Sequence, residues 1–187
     1  MKRFLLILVI FLTGCSVDNY TGRDVYNFLE SKKFDYNNFY AEFYDRNVSD
    51  KDKTKITLAI KDNDFYYSNS TFAYIKSDKF YCLDLNMNMY YEMDNFDDFD
   101  MVFHIFPSKL DGFEAYDHGF SKVFGKKYYY ESYHIDRYNV SYFFKGNDII
   151  YIKSEYADRS ILFKFNLIKK EVSSSLFEIP KNFEFAE

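Results

Sequence analysis

The chain has 187 residues, a formal net charge of −5, and 23 Phe and 20 Tyr residues but no Trp. An acidic chain without clusters of Lys and Arg is a poor nucleic-acid binder, because neutralising phosphates requires such clusters. With two cysteines, Cys15 and Cys82, it cannot build a framework of several disulfides. We expect one domain of about 170 residues with a single core, no cofactor and no nucleic-acid partner.

The N-terminal segment has the order of a bacterial lipoprotein signal peptide. The basic pair Lys2-Arg3 precedes an apolar run, residues 4–12, and a small-residue cleavage site follows. Nine apolar residues are too few for a transmembrane helix, which needs about 20. The stretch Leu12-Thr13-Gly14-Cys15 resembles the lipobox, whose cysteine receives a diacylglycerol. We expect residues 1–14 to be removed and Cys15 to be lipidated; an ordinary secretory peptide is the alternative.

A lipidated Cys15 makes a membrane the first partner of the chain. Several acyl chains on one cysteine, palmitate among them, provide the stable anchoring that a single chain lacks. The domain then faces the extracytoplasmic side of the cell membrane, or lies on the outer membrane of a two-membrane envelope. Residues 15–20 form a tether that spans under about 20 Å, which favours a resident protein over a travelling carrier.

The first half of the domain predicts one helix and a series of strands. Residues 21–33 favour an amphipathic helix, because Val25, Phe28 and Leu29 recur at helical spacing. Strand patterns rich in aromatic and β-branched residues follow, with polar turns between them. They cover residues 39–46, 54–61, 65–70, 72–76 and 79–85. The short turns predict a meander of antiparallel hairpins in which strands adjacent in sequence pair.

The second half begins with a change from strand to helix periodicity. Residues 94–106 predict a helix that Pro107 stops. A loop with Gly112 and Gly119 is expected next. Strand patterns then return at residues 127–135, 140–145, 148–155 and 160–168. Between the middle two of these strands, Gly146-Asn147 predicts a two-residue hairpin connection with a primed turn.

About nine strands and two helices make the predicted fold mainly β, of the α+β class. Aromatic residues on both faces of residues 128–133 favour an antiparallel curved sheet, which forms an incomplete β-barrel around one or two helices. The helix at residues 96–106 is the expected plug. Without an internal repeat or a change in composition, residues 21–187 are expected to form a single domain.

Four short stretches of the domain carry a family resemblance through their order. They are residues 64–67, 73–81 and 142–149 and the terminal Phe177-Glu178-Ile179-Pro180. Together with the helix, meander and central interruption, they resemble the outer-membrane lipoprotein-sorting (Lol-type) carrier superfamily over most of residues 21–185. The resemblance implies a half-barrel with an apolar cavity for acyl chains. It therefore implies a carrier, sensor or chaperone for a hydrophobic ligand.

Aromatic residues of the plug and sheet are the candidate ligand site. The expected lining of the cavity is Phe96, Phe99, Phe103, Phe106, Tyr129 and Tyr133. In the alternative, the same residues fill a closed core, and exposed tyrosines bind an envelope protein. The sequence is compatible with both, so the predicted function is a membrane-anchored envelope lipoprotein that binds either an acyl or lipoprotein-like ligand or a protein partner.

Other reactive side chains have structural explanations, and we expect no enzyme and no metal site. Three histidines, His104, His118 and His134, lack the spacing of a zinc motif. The acidic run at residues 92–100 lacks the spacing of a calcium loop and fits N-terminal charge on a helix. Cys82 alternates with larger residues in a strand and is expected to be buried.

Overall fold

The computed structural model describes residues 20–46, 54–94, 104–110, 112 and 114–186. Within these ranges the protein is mainly β, with 55% strand and one α-helix. The predicted signal peptide, Cys15 and most of the predicted second helix, residues 95–103, lie outside the described residues.

The helix α1 spans Asp24–Ser31 and is shorter at both ends than the predicted 21–33. Its predicted apolar stripe is confirmed, because Val25, Phe28 and Leu29 are all buried. After the helix, Lys33 adopts a left-handed conformation with φ +53, and the Phe34 amide donates to the Leu29 carbonyl at 3.0 Å. These two features end the helix and turn the chain towards the first strand.

The described residues form twelve strands. They are β1 Asn38–Asp45, β2 Lys55–Lys61, β3 Asp64–Ser68, β4 Phe72–Lys76, β5 Phe80–Asp84, β6 Met89–Met93, β7 Asp117–Val123, β8 Lys126–Ile135, β9 Tyr138–Lys145, β10 Asp148–Tyr156, β11 Arg159–Lys169 and β12 Glu184–Phe185. All nine predicted strands are confirmed to within two residues at each end. Strands β6, β7 and β12 were not predicted.

Two predictions for the middle of the chain are wrong. Gly119, which was expected in a loop, lies inside β7, where it pairs with Tyr130 of β8. His104 to Phe106, the expected last turn of the second helix, form turns and a bend. Phe106 precedes Pro107, and a residue before proline is sterically disfavoured in the helical region. The Ile105 carbonyl is instead satisfied by the Tyr142 hydroxyl of β9.

All twelve strands belong to one open sheet with the order β12-β6-β5-β4-β3-β2-β1-β11-β10-β9-β8-β7. Every hairpin in it is antiparallel, as predicted, and the short β12 is parallel to β6. Two meanders, β1 to β6 and β7 to β11, are joined by pairing between β1 and β11. The predicted turn between β9 and β10 is confirmed: Lys145 pairs with Asp148, and Gly146 has φ +59.

The sheet has two faces with different coverings. The helix face packs against α1 and carries most of the core, including Phe39, Leu58, Tyr129, Tyr133, Tyr142 and Phe163. The outer face of β2 to β6 is covered by the C-terminal segment, in which Phe177 of a 3₁₀ turn, Ser174–Phe177, is buried. The outer face of β7 to β11 carries a smaller cluster of Val123, Phe143 and Tyr151.

Candidate functional site

Three of the six residues predicted to line a cavity lie in the described part of the chain, and the structure places them in one core. Phe106, Tyr129 and Tyr133 are 1%, 4% and 1% exposed, respectively. The other three predicted residues, Phe96, Phe99 and Phe103, and the lipidation candidate Cys15 lie outside the described residues. The cavity beneath them stays a prediction.

Phe106 is surrounded by three aromatic rings, one from the connection between α1 and β1 and two from β1. Its ring centroid lies 5.3 Å from that of Phe34, 5.5 Å from that of Phe39 and 6.1 Å from that of Phe43. Ring pairs at these distances contribute packing energy beyond their buried area. Phe106, at the end of the residue 94–106 segment, is therefore fixed in the core on the helix face.

Between Tyr129 and Tyr133 lies a buried carboxylate, Glu131, that joins the sheet to the start of α1. Its two oxygens accept hydrogen bonds from the backbone amides of Asp24, at 2.8 Å, and Val25, at 2.9 Å. The Tyr133 hydroxyl donates to the same carboxylate at 2.6 Å. Because the first amides of a helix lack partners within it, Glu131 acts as a cap provided from a distant strand.

The electrostatics of this cluster follow from burial. Removal from water raises the pKa of the Glu131 carboxyl above its ordinary value, although the Tyr133 hydroxyl and the two amides act in the opposite direction. Burial is also the main reason why the pKa of Tyr129 rises to about 12. Both carboxylate oxygens are occupied by the chain's own donors, so Glu131 stabilises the position of α1 and is not available to a bound molecule.

A groove of about 580 Å³ opens where α1, β1 and the segment after Phe106 meet. It is lined by Lys33, Phe34, Asp35, Tyr36, Pro107, Ser108, Lys109, Leu110 and Lys170, and we call it the lysine groove. Its three lysines are exposed, whereas Phe34, Tyr36 and Leu110 are half-buried. The groove thus combines an apolar floor with a cationic rim that contains one acidic residue, Asp35.

Local hydrogen bonds shape one wall of the lysine groove. The Asp35 carboxylate accepts the Asn37 amide at 3.0 Å, and the Asp35 carbonyl accepts the Asn38 amide at 2.9 Å. This tight connection between α1 and β1 points Phe34 towards the core, where its ring centroid is 5.1 Å from that of Phe39. The floor of the groove is therefore continuous with the aromatic core around Phe106.

Two smaller grooves flank α1. One, of about 380 Å³, lies between the helix and Asn147, and the other, of about 350 Å³, lies beside Lys32 and β11. The first has no lysine in its lining and the second has one. Neither combines an apolar floor with several cations, which leaves the lysine groove as the better ligand site of the three.

The remaining reactive side chains are separate from this groove. His104 pairs with Asp136, and its ring stacks on Tyr138 at 5.2 Å. His134 bonds to Asn139 through Nδ1 at 2.7 Å. Cys82 is fully buried, as predicted. Within the described ranges, no three metal-capable side chains come together, and no helix has the length and apolar character to cross a membrane.

No protein-family model matches the chain, and no curated protein matches it significantly. The resemblance to the Lol-type superfamily therefore stays a prediction.

Proposed function

We propose that this chain is a cell-envelope lipoprotein, anchored through lipid on Cys15, that binds an acyl-type amphiphile with an anionic head in the lysine groove. The observation that supports the ligand is the groove itself, in which Lys33, Lys109 and Lys170 surround an apolar floor. Its volume of about 580 Å³ falls in the range of small-molecule sites. The lipobox-like sequence before Cys15 supports the anchor.

The proposal includes the shape of the sheet. We infer that the sheet curls around α1 as an incomplete barrel. This is supported by full burial of Val25 and Leu29 against the helix face, and by the two sheet edges, β7 and β12, that do not pair with each other. In such a shape the lysine groove lies beside the C-terminal end of α1, where the chain continues into β1.

The expected free energies of binding favour a ligand with an anionic head group. A tail that buries about five methylenes gains roughly 4 kcal/mol, which corresponds to millimolar binding by itself. Exposed ion pairs contribute up to about 1 kcal/mol each, so three lysines add a comparable amount. A neutral amphiphile with the same tail is therefore expected to bind weakly.

The test is photo-crosslinking of the intact lipoprotein with palmitate that carries a diazirine. We expect labelled peptides to contain residues 33–36 and 107–110, palmitate to compete, and hexadecanol to compete poorly. A variant with Lys109→Gln and Lys170→Gln should lose up to about 30-fold in labelling, because up to about 2 kcal/mol of attraction is removed. The control replaces two exposed lysines elsewhere, Lys76 and Lys181, with Gln. Equal labelling of all three proteins would refute the site.

A second function is supported by the burial of Phe106, Tyr129 and Tyr133. Close packing of these rings fits an envelope lipoprotein whose core is filled and whose surface binds a protein. Absence of any specific crosslink to residues 33–36 or 107–110 would favour this alternative.

A further inference from the structure

The β7–β8 tip, residues 120–127, combines an unusual turn with exposed aromatic rings. The two central residues of the turn are Phe124, with φ +49, and Gly125, with φ +76. A type I′ turn requires positive φ at both positions, which favours Asn, Asp or Gly and makes Phe uncommon. The Phe124 side chain is 58% exposed, as is that of Phe120. The Phe124 ring lies 6.0 Å from that of Tyr151 and 5.9 Å from the Arg46 guanidinium, and these contacts leave more than half of its side chain exposed to solvent.

The charge of the tip is opposite to that of the whole chain. It contains Lys122, Lys126 and Lys127 and no acidic residue, whereas the chain has a formal charge of −5. All three lysines are exposed, and Lys122 lies directly opposite Lys127 in the ladder. Like charges in that arrangement repel each other. An external anion would relieve the repulsion.

Tyr20, the first residue that the structure describes, lies beside this tip. Tyr20 stacks on Tyr129 with a centroid distance of 3.9 Å and an interplanar angle of 9°. The Phe120 ring is 5.9 Å from that of Tyr20 and 5.6 Å from that of Tyr129. Cys15 is five positions before Tyr20, so the two Cα atoms are at most about 18 Å apart. A lipid on Cys15 would hold the tip within reach of the membrane.

We propose that the β7–β8 tip docks into the anionic headgroup layer of the membrane that holds the lipid. Phe120 and Phe124 occupy the interfacial region, and the three lysines contact lipid phosphates. Phe side chains of surface-bound segments enter the boundary between headgroups and acyl chains, and each lysine near an anionic surface strengthens binding roughly fivefold. The inference rests on the proposed anchor at Cys15, because the tether supplies the high local concentration of membrane.

Lysines on an edge strand also protect it from pairing with another sheet, and β7 is an edge strand. That explanation covers Lys122. It does not account for two exposed Phe residues, or for Phe at a left-handed position of the turn. Membrane contact accounts for the rings and for the lysines together.

The test measures the depth of the tip in the full-length lipoprotein, reconstituted in vesicles of phosphatidylcholine mixed with phosphatidylglycerol. An environment-sensitive fluorophore is attached at Phe124→Cys. The matched control carries it at Ala157→Cys, since Ala157 also starts a two-residue turn with φ +53 but at the other end of the strands. Buried Cys82 should stay unlabelled in the parent chain. We expect spin-labelled lipids to quench the probe at position 124 and not at 157.

Charge variants complete the test. Lys122→Gln with Lys126→Gln should lower the ratio of docked to undocked tip roughly 25-fold, whereas Lys76→Gln with Lys181→Gln should leave quenching unchanged. High salt or pure phosphatidylcholine should mimic the first variant. A protein that floats with vesicles but shows equal quenching at 124 and 157 overturns the docking and leaves the anchor intact. A protein that carries no acyl group by mass spectrometry and does not float overturns both.

Discussion

Glu131 provides the sharpest test of the forces that hold α1 against the sheet. In Glu131→Gln the single remaining carbonyl oxygen can accept the amide of Asp24 or that of Val25. The new NH₂ group faces the other amide, which is left buried without an acceptor. Such a group costs about 1–3 kcal/mol. For a slope of about 2 kcal/mol per molar in urea, a loss of 2 kcal/mol lowers the unfolding midpoint by about 1 M.

The loss of stability in Glu131→Gln should decrease as the pH rises. Burial raises the native pKa of Glu131 above its ordinary value of 4.5. The native protein therefore binds the proton of the Glu131 carboxyl more tightly than the unfolded chain does. The stability that wild type gains from this difference in proton binding is complete below pH 4.5. That stability is lost as pH rises through the native pKa. The difference between wild type and Glu131→Gln should be largest at pH 4.5 and below, and smaller at pH 7.

Urea unfolding followed by circular dichroism between pH 4 and 8 measures this difference, with exposed Glu178→Gln as the control. A difference that grows with rising pH would refute the reasoning. It would mean that the helix amides and Tyr133 stabilise the ionised form by more than burial destabilises it. An unchanged midpoint at every pH would refute the cap itself.

Three further predictions concern packing, the turn and the anchor. Phe106→Ala should cost about 3–5 kcal/mol because its ring is fully buried, whereas Phe185→Ala, at a ring 55% exposed, should cost far less in the same thermal melt. Gly125→Ala should lower Tm by about 2–4 °C: its Cβ would meet no atom within 4 Å, but φ +76 disfavours any side chain. Cys15→Ala should remove the acyl mass and release the protein from membranes in flotation; an unchanged mass and flotation would contradict lipidation.

The hairpins were predictable because their signals are local. Alternating apolar residues and short polar turns define β2 to β5 and β8 to β11, and Gly146 marks one turn by its chemistry. Strand β7 gave no such signal, because it is an edge strand whose residues are exposed on both faces apart from Gly119 and Val123. Strand β6 is likewise exposed on both faces for most of its length. The alternation of apolar and polar residues along a strand reflects burial of one face. Strands without a buried face therefore lack this pattern and are not predicted from it.

The candidate sites were less predictable, because they depend on contacts between distant segments. Glu131 is two residues from both Tyr129 and Tyr133, so its side chain lies on the same face of the strand as theirs. This spacing could have indicated an inward-facing carboxylate. Its partners at Asp24 and Val25 are more than a hundred residues away. The lysine groove likewise combines Lys33, Lys109 and Lys170 from three separate segments. No pattern within one segment predicts that juxtaposition.

The pairing of β1 with β11 has a consequence for how the chain folds. Tyr40 pairs with Lys169, so one edge of β1 has no partner until nearly the whole chain is available. Closing so long a loop is slow compared with forming hairpins, and an open strand edge invites pairing between chains in the meantime. A chain truncated before Arg159 should therefore aggregate through β1. For the exported lipoprotein that we propose, this order of events favours folding after translocation is complete.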